Sequence, residues 1–436
     1  MEIFLLYIII NVVVAFFSLK WGISLYLVYT FLVPVDLPFM STTVNTVVHA
    51  SFLLSLLFHR KKFRTQYSIL EILRPYIPIV LIYFVFFFFS IFQENVPFNG
   101  ELRYWQNDMR QYFILPILMW YISLSDDSCK TFFNKAIVIS GIVIFLYGIA
   151  LLFMKHFNPY VLYMAKISGQ TVSDRLLGLT DQLRLMDRTS SLFMHPMNYG
   201  LYLNLILVYF ICIKDKIKNW LLWILVCLAL ICVFASGIRT PMVTLVVSVT
   251  IYALCLRKFK VFFCIIVFTI LGVEIISKIP ELAGTVESIF DSGKDVQGSS
   301  FNVRLAQFYG CLDEIESCPW FGKGYGWTTY YLSQNETHSV ILAFESLVFV
   351  LLCNWGVLGC ILFVYGYFRF TKNSIKLMPD MESKSVIVTF VATFLTYCIL
   401  TGDYHYTIMF MIIYTMIIVN NCDLNNLKKL SCPQEY

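Results

Sequence analysis

Four groups that are costly to place near hydrocarbon stand at the ends of long apolar stretches or in the loops between them. They are Arg188 in "DRTSSLFMHPMNYG", Arg239 in "SGIRTP", Arg304 in "SSFNVRLAQFYG" and His338 in "QNETHSVIL". A guanidinium presents paired donors that match phosphate oxygens, so three arginines on one face of a membrane point to an anionic ligand, a phosphate above all. A histidine, with an ordinary pKa near 6.5, suits the removal of a proton from a hydroxyl at neutral pH. Thr189, Ser190 or Ser191 is placed to cap the helix that follows Arg188, whose free N–H groups would also favour an anion. His195, beside Pro196, is read as a polar packing residue inside that helix. Each arginine taken singly also fits a plainer role, a snorkelling anchor at the end of a span. Their shared sidedness is what favours a site.

That sidedness comes from the elements around them. Of the 436 residues, 59% are hydrophobic, 14% are charged and 40 are Phe. Soluble domains carry about 25% charge, so this chain is read as an integral membrane protein. Apolar stretches long enough to cross a core of about 30 Å are expected near 1–18, 22–40, 43–58, 70–92, 106–124, 135–154, 192–213, 219–236, 240–256, 260–277, 338–367, 385–402 and 405–421. The expected fold is therefore all-α and polytopic, a single membrane domain of about 12 to 14 transmembrane helices. Arg60, Lys61, Lys62 and Arg64, then Lys214, Lys216 and Lys218, then Arg257, Lys258 and Lys260, then Arg369, Lys372 and Lys376 fall in every second loop. Such loops are cytoplasmic by the positive-inside rule, which puts the C-terminus inside and Met1 outside. The net charge of +5 is then an orientation signal, and no nucleic-acid partner is expected. The first apolar stretch lacks a small-residue cleavage site and is read as a retained span.

The two long non-basic loops, 155–191 and 278–337, fall on the outer side. Loops of that length are where function concentrates. The second contains an amphipathic stretch capped by Ser299 or Ser300, with Val303, Leu305, Phe308 and Leu312 at near-helical spacing, ending at "CPWFGKGYG". It reads as a helix at the membrane surface. Gly322, Gly324 and Gly326 follow no strand and precede no GK[ST], which argues against a nucleotide loop. The 13 cysteines form no CxxC pair, and most lie singly in apolar runs. Cys311 and Cys318 would stand about 10 Å apart along a helix, too far to bridge. No metal site and no cofactor are expected.

In order, "RTSSLFMHPMNYG", "SGIRTP", "RLAQFYGCLDEIESCPWFGKGYG" and "THSVILAFESLVFVLLCNWGVLG" resemble the successive signatures of the O-antigen ligase and polymerase superfamily, bacterial membrane glycosyltransferases of surface polysaccharide synthesis. The resemblance covers about 185–365. It departs where Met197 separates Pro196 from Asn198, where Ile238 precedes Arg239, and where Ser339 follows His338. It implies a multi-pass protein of the bacterial inner membrane whose site faces the periplasm, and a glycan donor joined to undecaprenyl pyrophosphate. Arg188, Arg239 and Arg304 would hold the pyrophosphate, His338 would act as the catalytic base, and His195, Asn198 and Ser236 would support them. Transfer would be inverting and metal-independent. The first reading is a polymerase that passes the growing glycan to a lipid-linked repeat unit, with a chain-length regulator as a further partner. The alternatives are a ligase that passes it to lipid A core, and a polysaccharide flippase or transporter.

Overall fold

A computed structural model of the protein describes residues 2–33, 42–154, 158–168, 189–260, 262–264, 267, 301–335, 337–401, 407–424 and 426–427. The expected Arg188, most of the expected span 260–277, and parts of both long loops (169–188 and 278–300) lie outside the described residues. In chain order the helices are α1 (Glu2–Phe17), α2 (Leu19–Leu32), α3 (Thr42–Phe58), α4 (Ile69–Leu73), α5 (Ile77–Ser90), α6 (Phe98–Met109), α7 (Leu115–Ser125), α8 (Asp127–Leu152), α9 (Pro159–Ser168) and α10 (Pro196–Cys212). They continue as α11 (Asn219–Ala235), α12 (Arg239–Cys255), α13 (Phe301–Glu314), α14 (Trp327–Asn335), α15 (Leu347–Ile375), α16 (Met381–Thr401) and α17 (Thr407–Asn421). A π-turn at Arg110–Ile114 joins α6 to α7. Among the described residues α8, α15 and α16 are long and apolar enough to cross a membrane, and eight shorter helices are apolar. The protein is an all-α polytopic membrane protein.

Its surface is inverted relative to a soluble domain. Trp223 is 68% and Val364 67% exposed, whereas Asn204 is 1% and Thr415 0% exposed. Lipid tails solvate apolar side chains as well as Leu does, so helices associate through close packing and interhelical hydrogen bonds. α10 and α17 are buried on every side along most of their length and form the centre. Around them Tyr76 and Thr415 share a hydrogen bond of 2.7 Å, as do Ser248 and Thr393 at 2.7 Å. Asn134 donates to Asn420 at 2.9 Å.

The helices alternate in direction, which the contacts at their ends record. Lys20 donates to Ser128 at 3.0 Å, Ser125 to the Phe63 carbonyl at 3.1 Å, Lys216 to Asn420 at 2.7 Å, and Asn373 to the Arg74 carbonyl at 3.3 Å. Lys214 pairs with Glu382. The basic loops thus gather at one end of the bundle, called here the basic end. At the opposite end Thr189 meets Ala235, Met197 meets Tyr397, and Ser346 meets Ile399.

Two helices start later than the hydropathy suggests. α10 begins at Pro196, with His195 in extended conformation as its cap, its Nδ1 accepting from the Met197 N–H at 3.1 Å. His195 is therefore outside the helix, and Thr189–Ser191 do not cap it. Thr189 bonds the Ala235 carbonyl at 3.1 Å, and Ser191, at φ 49°, donates to the Ile144 carbonyl at 2.6 Å. α15 begins at Leu347, not at His338, because Leu342 (φ 59°) and Phe344 (φ 55°) are left-handed and the Ser346 hydroxyl caps at Val348. The apolar run 338–346 is a packed loop.

α15 is also broken. At Gly356 (φ 67°, ψ −168°) the backbone leaves the helix, which frees polar groups that hydrocarbon cannot satisfy. The segment Pro319–Gly324 fills the gap. Val357 N–H donates to the Pro319 carbonyl at 2.9 Å and Leu358 N–H to that of Trp320 at 3.1 Å. In return Lys323 N–H donates to the Cys353 carbonyl at 2.8 Å and Gly324 N–H to that of Asn354 at 3.0 Å. A Cβ on Gly356 would come within 2.6 Å of the Trp320 backbone, and one on Gly322 within 2.6 Å of the Gly356 nitrogen. The glycines of "GKGYG" thus serve a backbone-to-backbone splice. Tyr325 then donates to Asp108 at 2.6 Å, and Trp355 stacks on Phe86 at 4.4 Å, tying the splice to α6 and α5.

Glu101 of α6 is 1% exposed against this loop. Its Oε1 lies 2.8 Å from where a Gly324 Cβ would stand. Burial pushes its carboxyl up from 4.5 to about 7, partly offset by the Ser90 hydroxyl and the Tyr325 N–H. The folded chain therefore holds this proton more tightly than the unfolded one. Stability should fall as pH rises from about 4.5 to about 7 and level off above that. In Glu101→Gln this part of the slope should vanish, as read by thermal unfolding in detergent across that range; an unchanged slope would reassign it. Gly356→Ala should cost at least about 1–3 kcal/mol, since that backbone region is essentially closed to other residues. Loss of folded protein on size-exclusion chromatography is the measurement, and a normally folded Gly356→Ala protein would refute the splice.

Candidate functional site

Contacts at the last turn of α16, at the end opposite the basic loops, tie together the segments that carry Arg239 and Arg304. α12 runs antiparallel to α16, with Tyr252 donating to Glu382 at 3.0 Å near the basic end and Ser248 bonded to Thr393 midway. Arg239, about 13 Å further along α12 at 1.5 Å per residue, is thereby level with the end of α16. α10 joins the same turn, where Tyr397 donates to the Met197 carbonyl at 2.5 Å. Asn204 crosses from α10 to the Pro241 carbonyl at 3.1 Å, and a Cβ on Gly200 would come within 2.3 Å of Pro241. Gly200 therefore sets how closely α12, and with it Arg239, approaches the centre. From the other side Ser346 donates to the Ile399 carbonyl at 2.8 Å. Its neighbour Glu345 holds the Arg304 guanidinium through its carboxylate at 3.1 Å and through its carbonyl.

Two features of these arginines run against local helix electrostatics. Arg239 is the first residue of α12 and Arg304 the fourth of α13. A helix N-terminus carries partial positive charge and favours acids. A half-buried arginine nonetheless stands in each first turn, that of Arg304 balanced by the Glu345 carboxylate. Burial pulls Arg304 down from its ordinary value, and Glu345 opposes that. Gly237 (φ 62°) makes the turn that brings Arg239 onto its helix.

The supporting residues divide. Asn198 is buried in the first turn of α10. Ser236 is fully buried, and its hydroxyl donates to the Val233 carbonyl of the preceding helix at 2.7 Å. His195 shapes the start of α10. The arrangement around Arg188 lies outside the described residues. The adjoining Thr189 is fastened to Ala235, shortly before Ile238 begins α12 as its cap, and so brings the chain to the Arg239 turn.

His338 is built differently. Its backbone forms an antiparallel bridge with Leu342, and its ring lies 5.2 Å from that of Tyr331 and 5.8 Å from that of Phe344. Nδ1 accepts two backbone N–H bonds, from Val340 at 3.1 Å and Ile341 at 3.0 Å. Nε2 faces Glu314 Oε1 at 3.1 Å, and Lys323 stands 3.8 Å from the other oxygen of the same carboxylate. Arg304 and Glu314 are the two ends of α13, about 15 Å apart along its axis. That helix thus carries a base in its first turn and an acid in its last, the reverse of what its dipole favours on both counts.

Glu314, Glu345 and Lys323 are functional candidates that sequence reasoning passed over. The signal for Glu314 was present in "VRLAQFYGCLDEIES" as that reversed order of charges; Glu345 and Lys323 gave none, since only the tertiary fold brings them to Arg304 and Glu314. Among the described residues no group of three His, Cys, Asp or Glu side chains is placed to hold a metal ion.

No curated protein matches the chain. A family model described as O-antigen ligase matches residues 203–364, a segment that runs from the middle of α10 into α15 and includes Arg239, Arg304, Glu314 and His338. The activity this family implies is transfer or ligation of lipid-linked glycans, and the match lends no support to a flippase or transporter. The match, on an all-α membrane bundle with this array of basic groups, supports the membership of the chain in the O-antigen ligase and polymerase superfamily.

Proposed function

We propose that the protein is a polysaccharide polymerase that transfers a growing glycan from undecaprenyl pyrophosphate to a lipid-linked repeat unit at the periplasmic side of the bacterial inner membrane. The observation that carries this reading is the placement of Arg239 and Arg304 in first turns of helices on either side of the end of α16. Positive charge gathered there, where the bundle meets the interface, suits a pyrophosphate whose lipid chain remains among the helices. As the glycosidic C–O bond breaks, charge builds on the leaving pyrophosphate, and fixed guanidinium groups stabilise it without reorganising. Arg188 is proposed as a third member of this group. His338 is proposed to act on the incoming sugar hydroxyl through the Glu314 carboxylate to which it is bonded. The reading needs no metal, because the arginines supply the countercharge.

A ligase acting on lipid A core is the second reading, favoured by the description of the matched family. The two separate in one assay of purified protein with undecaprenyl-pyrophosphate-linked oligosaccharide. A polymerase lengthens glycan that stays on the lipid pyrophosphate, whereas a ligase needs added lipid A core and produces glycan on it. Formation of neither product would overturn the transferase reading.

Arg239→Lys and Arg304→Lys keep the charge and lose the planar fork. Each should lower turnover about 10-fold or more at unchanged amounts of folded protein, and normal turnover in both would refute the pyrophosphate role. For sidedness, a cysteine placed at Lys216 in a cysteine-depleted chain should resist an impermeant thiol reagent in intact cells. Labelling there would reverse the proposed orientation.

A further inference from the structure

The His338–Glu314 pair has a fixed direction. Both backbone N–H groups at Nδ1 are donors, so the lone pair of that nitrogen is occupied. A neutral imidazole then carries its proton on Nε2 and donates it to Glu314 Oε1 at 3.1 Å. In this state the ring has no free lone pair with which to take a proton from a substrate. The ring is also enclosed, with 7% of its side chain exposed against 29% for Glu314. Tyr331 and Phe344 cover it, and a turn of left-handed residues, Leu342 and Phe344, locks the backbone that supplies the two donors.

We infer that Glu314 is the catalytic base of the transfer, and that His338 is a positioning residue that aims its carboxylate. The inference rests on the transferase reading above and assigns the proton to an atom. Glu314 takes the proton of the acceptor sugar hydroxyl. The hydroxyl oxygen forms the new bond to the anomeric carbon of the donor as the bond from that carbon to the pyrophosphate oxygen breaks. The electron pair leaves with the pyrophosphate, toward the arginines, and Glu314 later returns the proton to water. His338 holds Oε1, which leaves Oε2 for the hydroxyl, and Lys323 at 3.8 Å supplies a countercharge beside it. An acid in the last turn of α13 is unfavourable for the helix; a carboxylate required at that point accounts for it. Carboxylates serve as general bases where they lie within hydrogen-bond reach of the hydroxyl.

The test is turnover of full-length purified protein on undecaprenyl-pyrophosphate-linked oligosaccharide. Glu314→Gln keeps an oxygen for the His338 Nε2–H and removes the base, so turnover should fall about 10²-fold or more while the melting temperature stays that of the wild type. Formate added to Glu314→Ala should restore part of the rate. His338→Gln, whose amide can still donate to Glu314, should lose less than about 10-fold, and imidazole should not rescue His338→Ala. Glu314→Gln turning over within tenfold of the wild type, or imidazole rescue of His338→Ala without formate rescue of Glu314→Ala, would overturn the assignment and return the base to His338. Wild-type protein that transfers no glycan would instead defeat the transferase reading, and this assignment with it.

Discussion

A broken helix inside a membrane must find partners for its freed backbone groups, and the rest of this structure is arranged around how α15 does so. Hydrocarbon offers no hydrogen bonds, and each unsatisfied N–H or C=O costs several kcal/mol. At Gly356 the partners come from Pro319–Gly324, four backbone bonds in all, so a loop is carried to the depth of the break. That fixes the C-terminal side of α13 and the start of α14, and with them Glu314, Lys323 and the strand-like turn at His338. Tyr325 and Trp355 extend the same contact to Asp108 and Phe86. Thr328 N–H, bonded to the Asn354 side chain at 2.8 Å, makes the start of α14 part of it.

The other half of the site depends on close approach at the centre. α10 is enclosed along its length, and its Gly200 and Asn204 meet Pro241 of α12 directly. α12 in turn follows α16 from Glu382 to the end that carries Arg239. Hydroxyl and amide pairs set the register of these helices where area burial has little leverage, because both the interior and the lipid are apolar. The arginines are therefore delivered by rigid helix packing, and Arg304 by the short link from Glu345 to Ser346 and Ile399.

Charges placed against the helix dipole occur at both ends of the bundle, with Lys20, Lys130 and Lys384 in the first turns of α2, α8 and α16 at the basic end. Cations there are paired locally, Lys20 with Ser128, Lys130 with Asp127, Lys216 with Asn420 and Lys214 with Glu382. At the opposite end Arg239 and Arg304 sit half-buried in first turns, and Glu314 in a last turn, where it faces His338 across the fold. A protein selected for helix stability alone would exchange them. Their cost is consistent with a ligand that brings negative charge to one end of α13 and a hydroxyl to the other.

The sequence by itself determined the membrane class, the alternation of basic loops and the helix over Phe301–Glu314. Composition, loop charge and residue type are local properties, legible without packing. It misjudged where α10 and α15 begin, because hydropathy measures apolar content and cannot see left-handed residues such as Ser191, Leu342 and Phe344. The purpose of "GKGYG" was equally hidden, since its partner, Gly356, lies in a different helix. Only the tertiary structure decided that His195 is a cap, that Ser236 bonds to the preceding helix, and that Glu345 and Glu314 are the partners of Arg304 and His338. Those outcomes depend on distances across the bundle, and a hydrogen bond of about 3 Å has no trace in the order of residues along the chain.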